Sequence, residues 1–216
     1  MKINPINKTN FKAFPVADVK VKGIDSCYKL YKINNTDKVF LSDMYKSVKL
    51  RKLNPNLPDY QYLLWDNVLS NAINCPTDVN RETILEACND FPCGIMNYRS
   101  GKSSIHLSCI TTFPIIPEKK VPYAGQILFN KLFKEFLNSD KPIMELLALK
   151  YSPFNPVSKY LSLGFKMKGG DDSTEVMNIK KDKAKEIYEK QKEFIFSNEI
   201  KNKTEVDLFK VLNLNI

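Results

Sequence analysis

Between Ser103 and Phe165 the chain reads as strand, basic turn, amphipathic helix, strand and short helix, and that order leaves few folds open. Leu128, Leu132 and Phe136 form one row at helical spacing, and Phe129, Phe133 and Leu137 form the next, so a helix is expected from about Tyr123 to Leu137. Asn138-Ser-Asp-Lys-Pro142 stops it. The run Ile143–Leu149 is almost continuously apolar, which suits a buried parallel strand better than an edge. Strand, helix and strand then make one crossover unit, of the right-handed kind. At its centre Lys119-Lys-Val-Pro-Tyr-Ala-Gly-Gln126 leads straight into the helix. A cationic turn that opens a helix offers backbone N–H groups and a positive dipole end, which is a cradle for an anion such as phosphate.

The remaining elements fall around this unit. Residues 1–22 carry two prolines and many Lys and Asn, and read as a mobile or loosely docked tail. Cys27–Asn34 alternates as a first strand. Apolar positions 40, 41, 44, 45 and 48 give a helix over Asp37–Leu53, ended by Asn54-Pro-Asn-Leu-Pro58. A second helix follows over about Asp59–Ala72, with Leu63, Leu64, Trp65, Val68 and Leu69 inward. Thr83–Cys88, Cys93–Tyr98 and Ser104–Thr112 read as three strands, joined by Asn89-Asp90 and Ser100-Gly101 turns into an antiparallel meander. Thr174–Lys180 is a last strand, and residues 182–216 an appended helical segment.

With 216 residues the chain can bury a substantial core, and no window approaches a membrane-spanning apolar run. The N-terminus lacks the apolar stretch of a secretory signal, and the five cysteines are odd in number with no CxxC pair, as expected of reduced thiols in a cytoplasmic protein. Residues 1–60 hold 12 Lys/Arg against 5 Asp/Glu, 61–150 hold 9 of each, and 151–216 hold 12 against 10. This diffuse excess suits a lysine-rich surface, and equally an anionic partner such as a cofactor phosphate or nucleic acid. No His/Cys/Asp cluster has metal-ligand spacing, so no metal is expected.

The order of elements, with the turn before the Tyr123–Leu137 helix, resembles the GNAT family of acetyl-CoA-dependent N-acyltransferases over residues 23–181. That resemblance implies an α/β fold: a mixed, mostly antiparallel sheet of six or seven strands flanked by helices. Lys120-Val-Pro-Tyr123-Ala-Gly125 is similar to the family's pyrophosphate signature, with Tyr123 where the first Gly is usual, so its side chain must turn away. Ile110-Thr-Thr112-Phe-Pro114 resembles the end of the strand that pairs with the pantetheine arm, and Tyr160-Leu-Ser-Leu-Gly164-Phe165 the family's Tyr-x-x-x-Gly-Phe ending. The resemblance therefore implies a cofactor site of Ile110, Thr112, Lys119, Lys120, Tyr123, Ala124, Gly125, Gln126 and Asn155. It also implies acetyl-CoA as acyl donor and a primary amine as acceptor, held in a groove built from Asp37–Asn74.

Acyl transfer needs three groups. An amine attacks only when neutral, so a base must take its proton. The oxyanion needs a fixed donor, here a backbone N–H near Thr112. The departing thiolate needs an acid of similar pKa, and a phenol suits that role. The resemblance places Tyr160 beside the sulfur; the same residue would also serve as aromatic core. His106, the only histidine, shares strand parity with Ser108, Ile110 and Thr112 and is the first candidate base, although a lone strand histidine is often structural. Glu86 and Glu145 are alternatives. Cys109 lies on the face opposite His106 and has no base to activate it. A second reading keeps the fold without catalysis, as a module that binds a protein or nucleic acid.

Overall fold

The computed structural model describes residues 12–50, 59–74, 80–114, 119–150, 156–202 and 204–214. The crossover unit forms where the apolar spacing places it: β5 (Ser104–Thr112), α3 (Ala124–Asn138) and β6 (Ile143–Leu149). Before it come β1 (Phe14–Val21), β2 (Cys27–Ile33), a 3₁₀ turn (Asn35–Asp37), α1 (Lys38–Leu50), α2 (Asp59–Asn74), β3 (Arg81–Cys88) and β4 (Phe91–Ser100). After it come α4 (Pro156–Ser162), β7 (Lys166–Gly170), β8 (Thr174–Lys180), α5 (Lys181–Lys192), β9 (Ile195–Glu199) and α6 (Leu208–Val211). The described strands form one nine-stranded sheet in the order β7-β8-β6-β5-β4-β3-β2-β1-β9. Only β5 and β6 run parallel; the other neighbours are antiparallel.

Each sheet face carries its own core. On one, Ile127, Leu128, Leu132, Phe133 and Phe136 of α3 pack on Ile84, Met96, Leu107, Met144 and Met177. On the other, Phe40, Leu41 and Met44 of α1 and Trp65 and Leu69 of α2 pack on Tyr31, Leu85 and Ile95. Of the inward rows read from the helical spacing, Tyr45, Leu64, Val68 and Leu137 are half-buried, Leu63 is exposed, and the others are buried. Asn34 caps the 3₁₀ turn that leads into α1 through a capping box with Asp37, which satisfies amides that the turn leaves open.

The ends of the chain depart from the expected tail and appended segment. Residues 1–11 lie outside the described part, but Phe14–Val21 is a strand paired with both β2 and β9. Ala17, Val19 and Val21 are buried while Asp18 and Lys20 are exposed, a period-two pattern that the lysine and proline content of this region masks. The described residues after Lys181 likewise pack on the sheet. Behind α5 the chain adds β9 to the same sheet and buries Ile195, Leu208 and Leu212. With β7 as well, the sheet exceeds the six or seven strands anticipated.

Candidate active site

The site begins where a ladder stops. On one side β5 pairs with β4 as far as Gly94↔Thr112. On its other side the parallel register with β6 runs from Ser104↔Ile143 only to Leu107↔Leu146. Beyond that point β6 continues with β8, through Leu147↔Val176 to Leu149↔Thr174, and no longer with β5. A bulge marks the parting: Tyr98 faces Leu107 and Asn97 faces Cys109, so Ser108 is the extra residue. The amide of Phe113 donates to the carbonyl of Cys93 at 2.9 Å, which turns residues 113 and 111 toward β4. Strand alternation then turns the N–H groups of Ile110 and Thr112 toward the gap beside β6. The Thr112 carbonyl points the same way and accepts from the Trp65 indole of α2 at 3.3 Å. Two adjacent strands thus part into a slot edged by main-chain amides.

The slot opens toward the basic turn. Tyr123 caps α3 with φ 61 and ψ −4, the left-handed conformation in which glycine is favoured. Its side chain does turn away, with its ring 6.0 Å from that of Phe194. The first turn of α3 closes with Ile127 N–H donating to the Tyr123 carbonyl, which leaves the amides of Ala124, Gly125 and Gln126 without an intrahelical acceptor. Tyr28 fixes the turn from below by donating its hydroxyl proton to the Pro122 carbonyl at 2.8 Å. A Cβ on Gly125 would lie 3.8 Å from Cγ2 of Thr112, so the turn and the end of β5 are neighbours. Lys119, Lys120 and Gln126 are exposed around the turn. Lys159 of α4 joins them: burial, and then the charge of Lys120, hold its ammonium below its usual pKa. In the sequence the one signal for Lys159 is its place beside Tyr160.

The sequence matches no family model and no curated protein. Solved structures do match. FdhC, a nucleotide-linked sugar GNAT, superposes with a TM-score of 0.54 at 16% identity, over 86% of this chain and 97% of that one. An uncharacterised protein from Bacillus halodurans gives 0.52 at 12% identity, over 82% and 96%. The PaiA N-acetyltransferase from Thermoplasma acidophilum, solved with coenzyme A, gives 0.49 at 15% identity, over 71% and 98%. The chain has the GNAT fold. In this GNAT fold β5 and β6 are the strands that part, and β1 and β9 extend the far side of the sheet.

The candidate proton-transfer groups lie around the GNAT slot at different depths. Tyr160 of α4 packs edge-on against Phe129 at 5.7 Å and tilted against Phe165 at 5.9 Å, both between ring centroids. Burial, with a smaller contribution from Cys109, pushes its phenol above the usual value of 10.0, so it stays protonated. His106 faces Glu145 across the β5–β6 ladder, one residue before its last pair. Burial and then Arg99 lower the His106 pKa below its usual 6.5, and Glu145 opposes them.

The bulge overturns two face assignments. Through their partners on β4, His106 and Cys109 share the face of α1 and α2, whereas Ile110 and Thr112 share the face of α3. A single extra residue inverts the parity of everything after it. Glu86 is set apart from the other candidate bases. It is fully buried under α3, 3.1 Å from where a Cβ on Gly94 would stand, and among the described residues neither carboxylate oxygen has a hydrogen-bond partner. Desolvation holds its pKa well above 4.5. Asn155 lies outside the described residues. Within Asp37–Asn74, where an acceptor groove is expected, Trp65 is buried, and Tyr45 and Tyr62 pack against the same core. The side chain of Tyr60 lies outside the described part.

Proposed function

We propose that this chain is an acetyl-CoA-dependent N-acyltransferase that moves an acetyl group to a primary amine by direct attack. The observation that carries the proposal is the end of the β5–β6 ladder at Leu107 and Leu146, with the Ile110 and Thr112 amides facing the gap and the open N-terminus of α3 at its mouth. Amides with no strand to pair with suit the amide-bearing pantetheine arm. Lys119, Lys120 and the Ala124, Gly125 and Gln126 amides suit the pyrophosphate, a group that favours a helix N-terminus. The four steps along the strand from Ser108 to Thr112 span about 13 Å at about 3.3 Å each, so an extended arm held at the turn reaches the closed end of the slot.

Acetyl-CoA would supply the thioester, whose C–S bond breaks as the bond from the amine nitrogen to the acetyl carbon forms. His106, kept neutral by its lowered pKa, takes the proton that the amine loses. The Ile110 amide, nearer the closed end than Thr112, donates to the oxygen on which charge develops. Tyr160, kept protonated, hands its proton to the departing thiolate, and solvent returns the proton from His106 to Tyr160. Calorimetry with acetyl-CoA tests the binding step: heat of binding is expected from the folded protein, and its absence at millimolar cofactor would refute the reading. Tyr160→Phe is expected to lower kcat about tenfold or more with cofactor affinity kept; an unchanged kcat would remove Tyr160 from the reaction.

A further inference from the structure

One row of side chains crosses the sheet just before the closed end of the slot. In register, Arg81 of β3 faces Arg99 of β4, Arg99 faces His106 of β5, and His106 faces Glu145 of β6. Cross-strand partners share a face, and here it is the face of α1 and α2, opposite α3. The four side chains line a single pocket of about 350 Å³, together with Ser104 and Asn80.

Two features of this row point to an anion. The first is composition. Of the 33 Lys and Arg only three are arginine, Arg51, Arg81 and Arg99, and two of these meet here. A chain that uses lysine for nearly every other positive charge has placed two arginines opposite each other on adjacent strands, and the planar fork of arginine binds a carboxylate or phosphate through two parallel N–H bonds, which lysine cannot do. The second is repulsion. Arg99 stands directly opposite the basic side chain of β5, His106, whose protonation it opposes. Among the described residues no carboxylate lies within salt-bridge distance of Arg99, which is exposed at the pocket. The Glu145 carboxylate stands at the other end of the row, beyond His106.

We infer that this pocket is the acceptor site and that the acceptor amine carries an anionic group, a carboxylate or a phosphate, held by Arg99 and Arg81 while its amine meets His106 and Glu145. The inference rests on the acyltransferase reading for the location of the acetyl group. Strands are spaced about 4.8 Å apart, so the arginine pair and the His106–Glu145 pair are separated by about 10 Å at the backbone. A flexible amine with several bonds between its two ends bridges that separation once the side chains lean inward.

As the only histidine, His106 gives a reporter that needs no turnover. Its imidazole resonances are followed by NMR through a pH titration with 5-aminovalerate, 3-aminopropyl phosphate or n-butylamine, while acetyl-CoA binding is measured in parallel. At least one of the two anionic amines is expected to raise the His106 pKa by neutralising Arg99, and n-butylamine is not. Response to one or to both tells carboxylate from phosphate. In the acetylation assay the effective anionic amine is expected to exceed n-butylamine in kcat/KM by about tenfold or more, and Arg99→Gln to remove that preference. Arg99→Lys, which keeps the charge and loses the fork, should retain part of it. Arg81→Gln gives the same test should Arg99→Gln not fold. The inference is overturned if neither anionic amine moves the resonance, or if the shift survives Arg99→Gln. If acetyl-CoA fails to bind while the anion still shifts His106, the anion site stands and the acyltransferase reading falls.

Discussion

Tyr123 holds a backbone conformation that a glycine adopts freely and that costs other residues about 1 kcal/mol or more. It is tolerated because the ring finds Phe194 and the carbonyl starts the hydrogen-bond ladder of α3. The consequence is a ranking. Tyr123→Gly should be more stable to denaturant than Tyr123→Ala by about 1 kcal/mol, since both lose the ring and only alanine keeps the strain. Alanine at least as stable as glycine would mean that φ is not positive there. Glu86 poses the opposite problem, a polar group buried without partners. Below pH 4.5 both folded and unfolded states hold its proton, and nothing is lost. As pH rises past 4.5 the unfolded chain ionises while the folded one resists, so stability falls with pH until the raised folded pKa is reached. Glu86→Gln cannot ionise. Its Tm relative to the wild type should therefore climb between pH 4.5 and 8; a difference independent of pH would show that Glu86 is charged in the fold.

At the scale of elements, hydrophobic spacing made α1, α2, α3 and the strands from β2 to β6 legible, because their buried rows repeat at the period of the element. Three strands escaped for separate reasons. The alternation of β1 is short and sits amid Lys and Pro; β7, Lys-Met-Lys-Gly-Gly, is exposed throughout and has no period; β9 follows a strongly charged helix. The bulge at Ser108 was equally hidden, since a one-residue insertion depends on how β4 and β5 register and not on the residue itself. The turn that opens α3 was readable from its local chemistry. Arg81 and Arg99 were not, because they meet only through strand pairing, although the rarity of arginine was there to be noticed. The standing of β9 as part of the sheet can be measured. Ile195 is 2% exposed, in the same core as Val21 and Tyr28, so Ile195→Ala should cost about 2–4 kcal/mol in unfolding free energy. A cost near zero would return residues 182–216 to the status of an appendage.

Across the whole molecule the two faces of the sheet divide the work. The α3 face carries the turn and the wide end of the slot, and the α1–α2 face carries the row from Arg81 to Glu145. The ladder ends between them, so an acyl group at the closed end would be within reach from the opposite face. The central claim is that the parted strands are the seat of acetyl-CoA, and amide hydrogen exchange with and without acetyl-CoA tests it most directly. Added protection is expected at Ile110 and Thr112 and at the Ala124–Gln126 amides, with none at β1 or β9. Exchange that stays unchanged at Ile110 and Thr112 under saturating acetyl-CoA would contradict it.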